Sequence, residues 1–310
     1  MSPSQETAPG VVLGTICWVT SRTSVWASRA TAHVADSSSG GALDRSLRVT
    51  LSFHPDRRVG AATVLECLAR DGAYRSQFET GTSNGGLTAH PGGDRWLWEQ
   101  RIFGRAYDDA PVSERPKYGA LNHRRRRIGA APRFGSAHLR LTEAVLDRST
   151  FCYPDSVFEP TSMGTADRFD LLSLVESFDA RLRAGELGPA EGGVLDDYVE
   201  AHVHGTVELS EDVEAVVLDP SFRHTTIEEQ AQALGVAVEW HEGRRLLVED
   251  LAGRPDFRGP RIVEVGRRVA VAGVLDAAVV GKAALAGSED PQDLKKVWHC
   301  VAALGEAVEP

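Results

Sequence analysis

The sequence predicts an α+β protein, and three observations carry that prediction. Apolar residues recur with a period of two at 47–53, 197–204 and 213–218, which reads as strands. Residues 61–71, 167–184 and 271–310 have the three-to-four-residue spacing of helices. The two kinds of segment follow one another without regular βαβ alternation, so the sheet is not expected to be a doubly wound parallel one.

Taken in order, residues 11–35 read as one or two short helices rich in Ala, Val and Trp, ended by a Ser- and Gly-rich loop at 36–41. The strand at 47–53 stops at His54-Pro55-Asp56-Arg57, because Pro55 has no N–H to give a ladder. Val64, Leu65 and Leu68 share one face of a helix over 61–71, with Gly72 as its stop. A polar glycine-rich run covers 79–86, and 96–107 reads as a half-buried helix. Residues 117–121 and 133–141 look like strands on either side of Arg124, Arg125, Arg126 and Arg127. In the helix over 167–184, Asp167 is the expected cap. Leu171, Val175, Phe178 and Leu182 form its stripe and Gly185 its end. Thr226 and Glu229 have the spacing of a capping box for a helix ending at Gly235. Segments 236–240 and 246–251 flank His241-Glu242-Gly243 as a hairpin. In the helical tail, Asp290-Pro291 starts a helix whose Leu294, Val297, Trp298 and Val301 face a core.

The bulk composition narrows the function. With 310 residues, 42% of them hydrophobic, the chain can bury a sizeable core. Its 34 basic and 44 acidic residues leave a net charge of −10, which argues against non-specific nucleic-acid binding as the main task. Cys17, Cys67, Cys152 and Cys300 lie far apart without CxxC spacing, as expected for buried thiols in a reducing compartment. There is no apolar run of about eighteen residues. The first ten residues lack the layout of a signal peptide. A cytoplasmic location and no membrane partner are the expectation.

The densest chemistry lies in Tyr198-Val199-Glu200-Ala201-His202-Val203-His204-Gly205. On a strand, Glu200, His202 and His204 point to one face and Val199, Ala201 and Val203 to the other. A carboxylate there can hydrogen-bond a sugar hydroxyl or stabilise an oxocarbenium-like centre. The two imidazoles at this spacing can also be presented to one metal, with His54, Asp56, His138 and His241 as further ligands in principle. The plain alternative is a solvated sheet face. In the run from Thr80 to Gly86, glycines among Ser83, Asn84 and threonines let a backbone approach a ligand, or simply make a surface turn. The run is neither a P-loop nor a dinucleotide fingerprint. His54 and Arg57 at a strand end suit a ribose or a phosphate, or a charged β-turn. The arginine block is either a solvated loop or a docking point for a phosphate or polyanion.

Several segments together resemble an uncharacterised bacterial family of unknown function, DUF3626. They are the residues from Phe53 to Arg57, Gln77 to Gly86, Glu114 to Leu121, Pro132 to Ser136, Thr150 to Ser156 and Glu200 to Gly205. The likeness covers most of 45–305 and implies no activity. The order of elements also resembles, more distantly, the ADP-ribosyltransferase superfamily. That resemblance implies a split β-sheet core over 46–265. A helical extension and linker would precede it at 1–45, and a helical segment at 266–310 would pack on it. It implies NAD as co-substrate without a metal. His54 and Arg57 would hold the ribose and diphosphate, and Ser83 with Asn84, Tyr118 or Ser136 would flank the nicotinamide. Tyr118 would stack on the nicotinamide ring. Glu200 would stabilise the charge that develops as nicotinamide leaves. The acceptor would be a protein, a nucleic acid, a small molecule or water. Two other expectations stand beside this one: a metal-dependent hydrolase built on Glu200, His202 and His204, and an inactive binding module.

Overall fold

The structure, a computed structural model, describes residues 23–81, 88–187 and 193–308. Eight strands make one mixed sheet: β1 Val49–Phe53, β2 Lys117–Leu121, β3 Ala137–Leu141, β4 Ser149–Tyr153, β5 Ser162–Thr165, β6 Val199–Val203, β7 Val213–Leu218 and β8 Ala237–Trp240. Their order across the sheet is β8-β7-β3-β1-β2-β6-β4-β5. All neighbours are antiparallel except β7 and β8. The fold is therefore α+β, as the mixed periodicities predict.

The centre of the sheet is its weakest seam. β2 and β6 pair through five residues each and β1 and β3 through four, whereas β1 and β2 share only Val49↔Leu121 and Thr50↔Ala120. Beyond the second pair the two strands part company. Gly119 sits at the parting, where a Cβ would come within 2.6 Å of the Thr50 carbonyl oxygen and of a Leu51 methyl. A residue without a side chain is what lets the two backbones meet there at all. The eight strands stay in one sheet, with a local opening in the β1–β2 ladder.

One face of the sheet carries the main core. Val49, Leu51, Leu139, Val199, Ala201, Val203, Val216 and Leu218 pack there with the helices α2 (Val64–Asp71), α6 (Pro260–Val269), α7 (Ala277–Ala286) and α8 (Pro291–Leu304). Helix α2 begins at a complete capping box between Thr63 and Glu66 and ends at Gly72 in the left-handed conformation. Asp290 caps α8, and Leu294, Val297, Trp298 and Val301 are buried as their spacing predicts. The other face, under β2, β4 and β6, is covered by a second cluster. It is built from α1 (Val25–Ser37), α3 (Asp94–Ile102) and the turn carrying Phe103 and Tyr107.

Local readings shift in five places. α3 stops at Ile102, short of 107, because the chain turns through Gly104 and Arg105, both at positive φ. The strand expected from 133 starts at Ala137, after a 3-10 turn at Pro132–Phe134. α4 (Leu171–Ala184) starts after Asp170, so Asp167 is not its cap, and in α5 (Thr226–Gln232) Thr225, not Thr226, accepts from Ile227 N. The hairpin expected around 241–243 does not form. β8 runs parallel to β7, since α5 carries the chain back along the sheet, and Leu246–Leu247 pairs instead with Val274–Leu275. Among the described residues no helix is long and apolar enough to cross a membrane.

Candidate active site

Where β1 and β2 part, a cavity of about 420 Å³ opens. His54 and Arg57 from the end of β1, Tyr118 from β2 and Glu200 from β6 all line it. Far apart in sequence, these four are brought together by strand order. Ser136 lies behind the wall, buried, with its hydroxyl 3.4 Å from His54 Nδ1. Ser83 and Asn84 fall outside the described residues, although Thr80 at the start of their run lines the cavity.

The His54 ring is held edge-on by Trp298 of α8, with ring centres 5.4 Å apart, and the Trp298 indole donates to the Pro132 carbonyl at 2.8 Å. Burial, with Arg57 and Lys295 nearby, pushes the His54 imidazole down to about 4, so it is neutral at pH 7. Arg57 stands at the exposed rim.

Tyr118 differs from the expectation. Arg95, from α3, lies over its ring with the guanidinium carbon 3.8 Å from the centroid, and its hydroxyl donates to Glu99 Oε1 at 2.9 Å. One face of the ring is therefore occupied and is not available to stack on a ligand. Tyr74 is another aromatic side chain in the same wall. Behind Tyr118, Glu99 pairs with Arg115 at 2.5 Å, both fully buried. Burial still raises the Glu99 carboxyl to about 7 against the pull of that arginine.

Glu200 is 5% exposed and is held from both sides. Oε2 accepts from the Ser156 hydroxyl at 3.0 Å and the Ser156 N–H at 3.3 Å. Oε1 accepts from His202 Nε2 at 3.0 Å, with an Arg95 nitrogen 3.9 Å away. Glu200, His202 and His204 do share a face, but that face is roofed by Phe103 and Tyr107, and neither histidine lines the cavity.

The imidazoles instead form a chain behind the carboxylate. His202 Nδ1 lies 3.1 Å from Thr150 Oγ1, which lies 3.0 Å from His204 Nε2; His204 Nδ1 is 2.7 Å from the Tyr107 hydroxyl. Burial drives His202 down to about 3 and His204 well below its usual range, so each ring carries one proton. With Glu200 as acceptor, the directions follow. His202 donates through Nε2, Thr150 donates to His202 Nδ1, His204 donates to Thr150 and Tyr107 donates to His204. Every bond points toward the carboxylate, and such aligned bonds reinforce one another.

The expected grouping of Glu200, His202 and His204 around one metal is not what the fold assembles. Among the described residues the cluster with ligand-like spacing is Cys152, Glu200 and His202, all buried. His204 is turned to Thr150 and Tyr107. Burial pushes the Cys152 thiol well up, so it is not a thiolate. Cys67, Cys152 and Cys300 form no disulfide.

Sequence reasoning missed Arg95, Glu99, Tyr198, Asp155 and Ser156 as contributors to this site. Arg95 and Glu99 are one helical turn apart among the apolar residues of α3, a faint signal of charges facing a core. The arginine block resolves into staples: Arg124 grips Asp179 and Asp197, and Arg125 pairs with Asp44 at the exposed surface.

These features define an α+β protein with a carboxylate-lined cleft at a seam in its sheet. A family model described as a protein of unknown function (DUF3626) matches residues 48–191 and 188–304, and the chain belongs to that family. No curated protein matches it.

Proposed function

We propose that the cleft binds NAD and cleaves its nicotinamide–ribose bond, passing ADP-ribose to an acceptor or to water. The carrying observation is that His54, Arg57 and Glu200 meet in one cavity at the opening of the sheet. In this reading Arg57 at the rim takes the diphosphate, and neutral His54 hydrogen-bonds a ribose hydroxyl. As the glycosidic C1′–N bond breaks, its electron pair leaves with nicotinamide and positive charge grows on the ribose. The Glu200 carboxylate supplies fixed negative charge beside it, oriented by Ser156 and by the chain that begins at His202. Arg95 and Tyr118 wall the site, and Tyr74 takes the stacking role first expected of Tyr118.

Glu200→Gln tests this reading, because glutamine keeps the shape and removes the charge. NAD cleavage is expected to fall about 100-fold or more. Millimolar NAD is expected to raise the melting temperature of parent and variant alike, since a ligand of the native state stabilises it by mass action. A variant that cleaves NAD as fast as the parent removes Glu200 from the chemistry. A parent whose melting temperature ignores NAD removes the cofactor.

A further inference from the structure

Glu200 is not the only acid in this cavity. Asp155, carried on the turn after β4, also lines it and is 6% exposed. The Tyr198 hydroxyl donates to its Oδ2, and the Val157 N–H donates to its Oδ1 at 2.8 Å. The Ser156 hydroxyl stands between the two carboxylates, 3.0 Å from Glu200 Oε2 and 3.3 Å from Asp155 Oδ1. Arg95 donates to that hydroxyl at 3.1 Å, so the serine has one proton to give, and the nearer carboxylate takes it. The two acids are thus unequal. Glu200 receives three donors, while Asp155 keeps a lone pair of Oδ1 uncommitted.

We propose that Asp155 is the general base of the cleft and that the acceptor it serves is an oxygen nucleophile, water or an alcohol hydroxyl. The inference rests on the NAD reading above and adds to it a base and an acceptor class. The C1′–N bond breaks with its electrons going to nicotinamide. A lone pair of the acceptor oxygen forms the O–C1′ bond. The proton of that oxygen passes to Asp155, which later releases it to solvent. Nicotinamide leaves neutral, and no oxidant or metal enters the balance. A neutral hydroxyl already carries a free lone pair and gives up one proton as the bond forms, a task for one base, whereas a guanidinium must be deprotonated before it can attack.

A carboxyl buried beside a second carboxylate is held above its usual range, and such groups mark acid–base assignments. Burial and the neighbouring Glu200 raise the Asp155 carboxyl to about 6, against the pull of Tyr198 and Val157. A group there can both take and release a proton near neutrality. The groups facing it are Glu200 and His202 from β6, Tyr198 just before that strand, Cys152 from β4 and, through Ser156, Arg95 from α3.

Asp155→Asn tests the assignment, since the amide oxygen can still accept from Val157 N–H and preserve the turn. The expected result has three parts. The kcat for NAD cleavage falls about 100-fold while KM and the NAD-induced melting shift hold within a few-fold. The limb of the parent's pH–rate profile near pH 6, where activity falls as pH drops, is lost. Asp155→Glu restores part of the rate. With methanol added, the parent forms a methyl ADP-riboside at the expense of hydrolysis, and agmatine is not modified. An Asp155→Asn protein that cleaves at the parental rate overturns the base, and modification of agmatine in preference to methanol overturns the acceptor class. Either result leaves the NAD reading standing. A parent that neither binds nor cleaves NAD removes both.

Discussion

Glu200 stands between two regions of opposite character. In front of it is the cleft at the seam of β1 and β2, which His54 and Arg57 line. Behind it is a closed polar core in which Glu99, Arg115, His202, Thr150, His204 and Tyr107 are joined by hydrogen bonds. Both regions are rich in titratable groups. The difference is water. In the cleft a side chain can exchange solvent for a ligand, so its loss costs binding or rate. In the closed core the loss of one partner strands another in a dry place, so it costs stability first.

That contrast can be broken at its strongest point. Arg115→Met removes the cation paired with Glu99 Oε2 and one of the donors to the Tyr107 carbonyl, in a fully buried site. The expected loss is about 3–5 kcal/mol of folding stability, read by urea unfolding. A loss under about 1 kcal/mol would mean that the core tolerates open bonds and that the contrast is false.

His202→Gln sharpens the comparison by touching both regions. It interrupts the donor chain and leaves Glu200 less firmly held, with an expected cost of about 1–3 kcal/mol. Its pH dependence has a definite sign. The folded protein keeps His202 neutral down to about 3, whereas the unfolded chain protonates it near its ordinary 6.5. The unfolded state therefore binds the extra proton first, and the stability that depends on neutral His202 is lost as pH falls from about 6.5 toward 3. The parent's advantage in melting temperature over His202→Gln is expected to shrink across that window. An advantage that grows on acidification would mean the ring is charged in the fold.

The smallest effect on stability is expected at the cleft rim. Arg57→Ala is predicted to weaken NAD binding about tenfold, measured by calorimetry, equivalent to about 1.4 kcal/mol. The melting temperature without NAD is expected to fall far less than in Arg115→Met. Equal NAD affinity in parent and variant would take the diphosphate away from Arg57.

Local pattern was enough to read much of this molecule. The alternation at 47–53 and 197–204 places β1 and β6, the spacing of Leu65 and Leu68 before Gly72 marks α2, and the stripe from Leu294 to Val301 matches the buried face of α8. His54, Arg57 and Glu200 could be named as candidates because they end or interrupt apolar runs, and Tyr118 only through the distant resemblance. These features depend on neighbours a few residues away, and backbone geometry alone carries them.

Only the tertiary structure decided which chemistry faces water. The spacing of Glu200, His202 and His204 puts all three on one side of β6, yet one reaches a cavity and two are sealed under Phe103 and Tyr107. Periodicity says which side chains share a face; what covers that face comes from segments a hundred residues away. The arrival of Arg95 over Tyr118 and of Asp155 beside Glu200 has the same origin, as does the parallel run of β8 on β7. Each is a contact between distant parts of the chain, set by burial and strand order, and no local pattern encodes it.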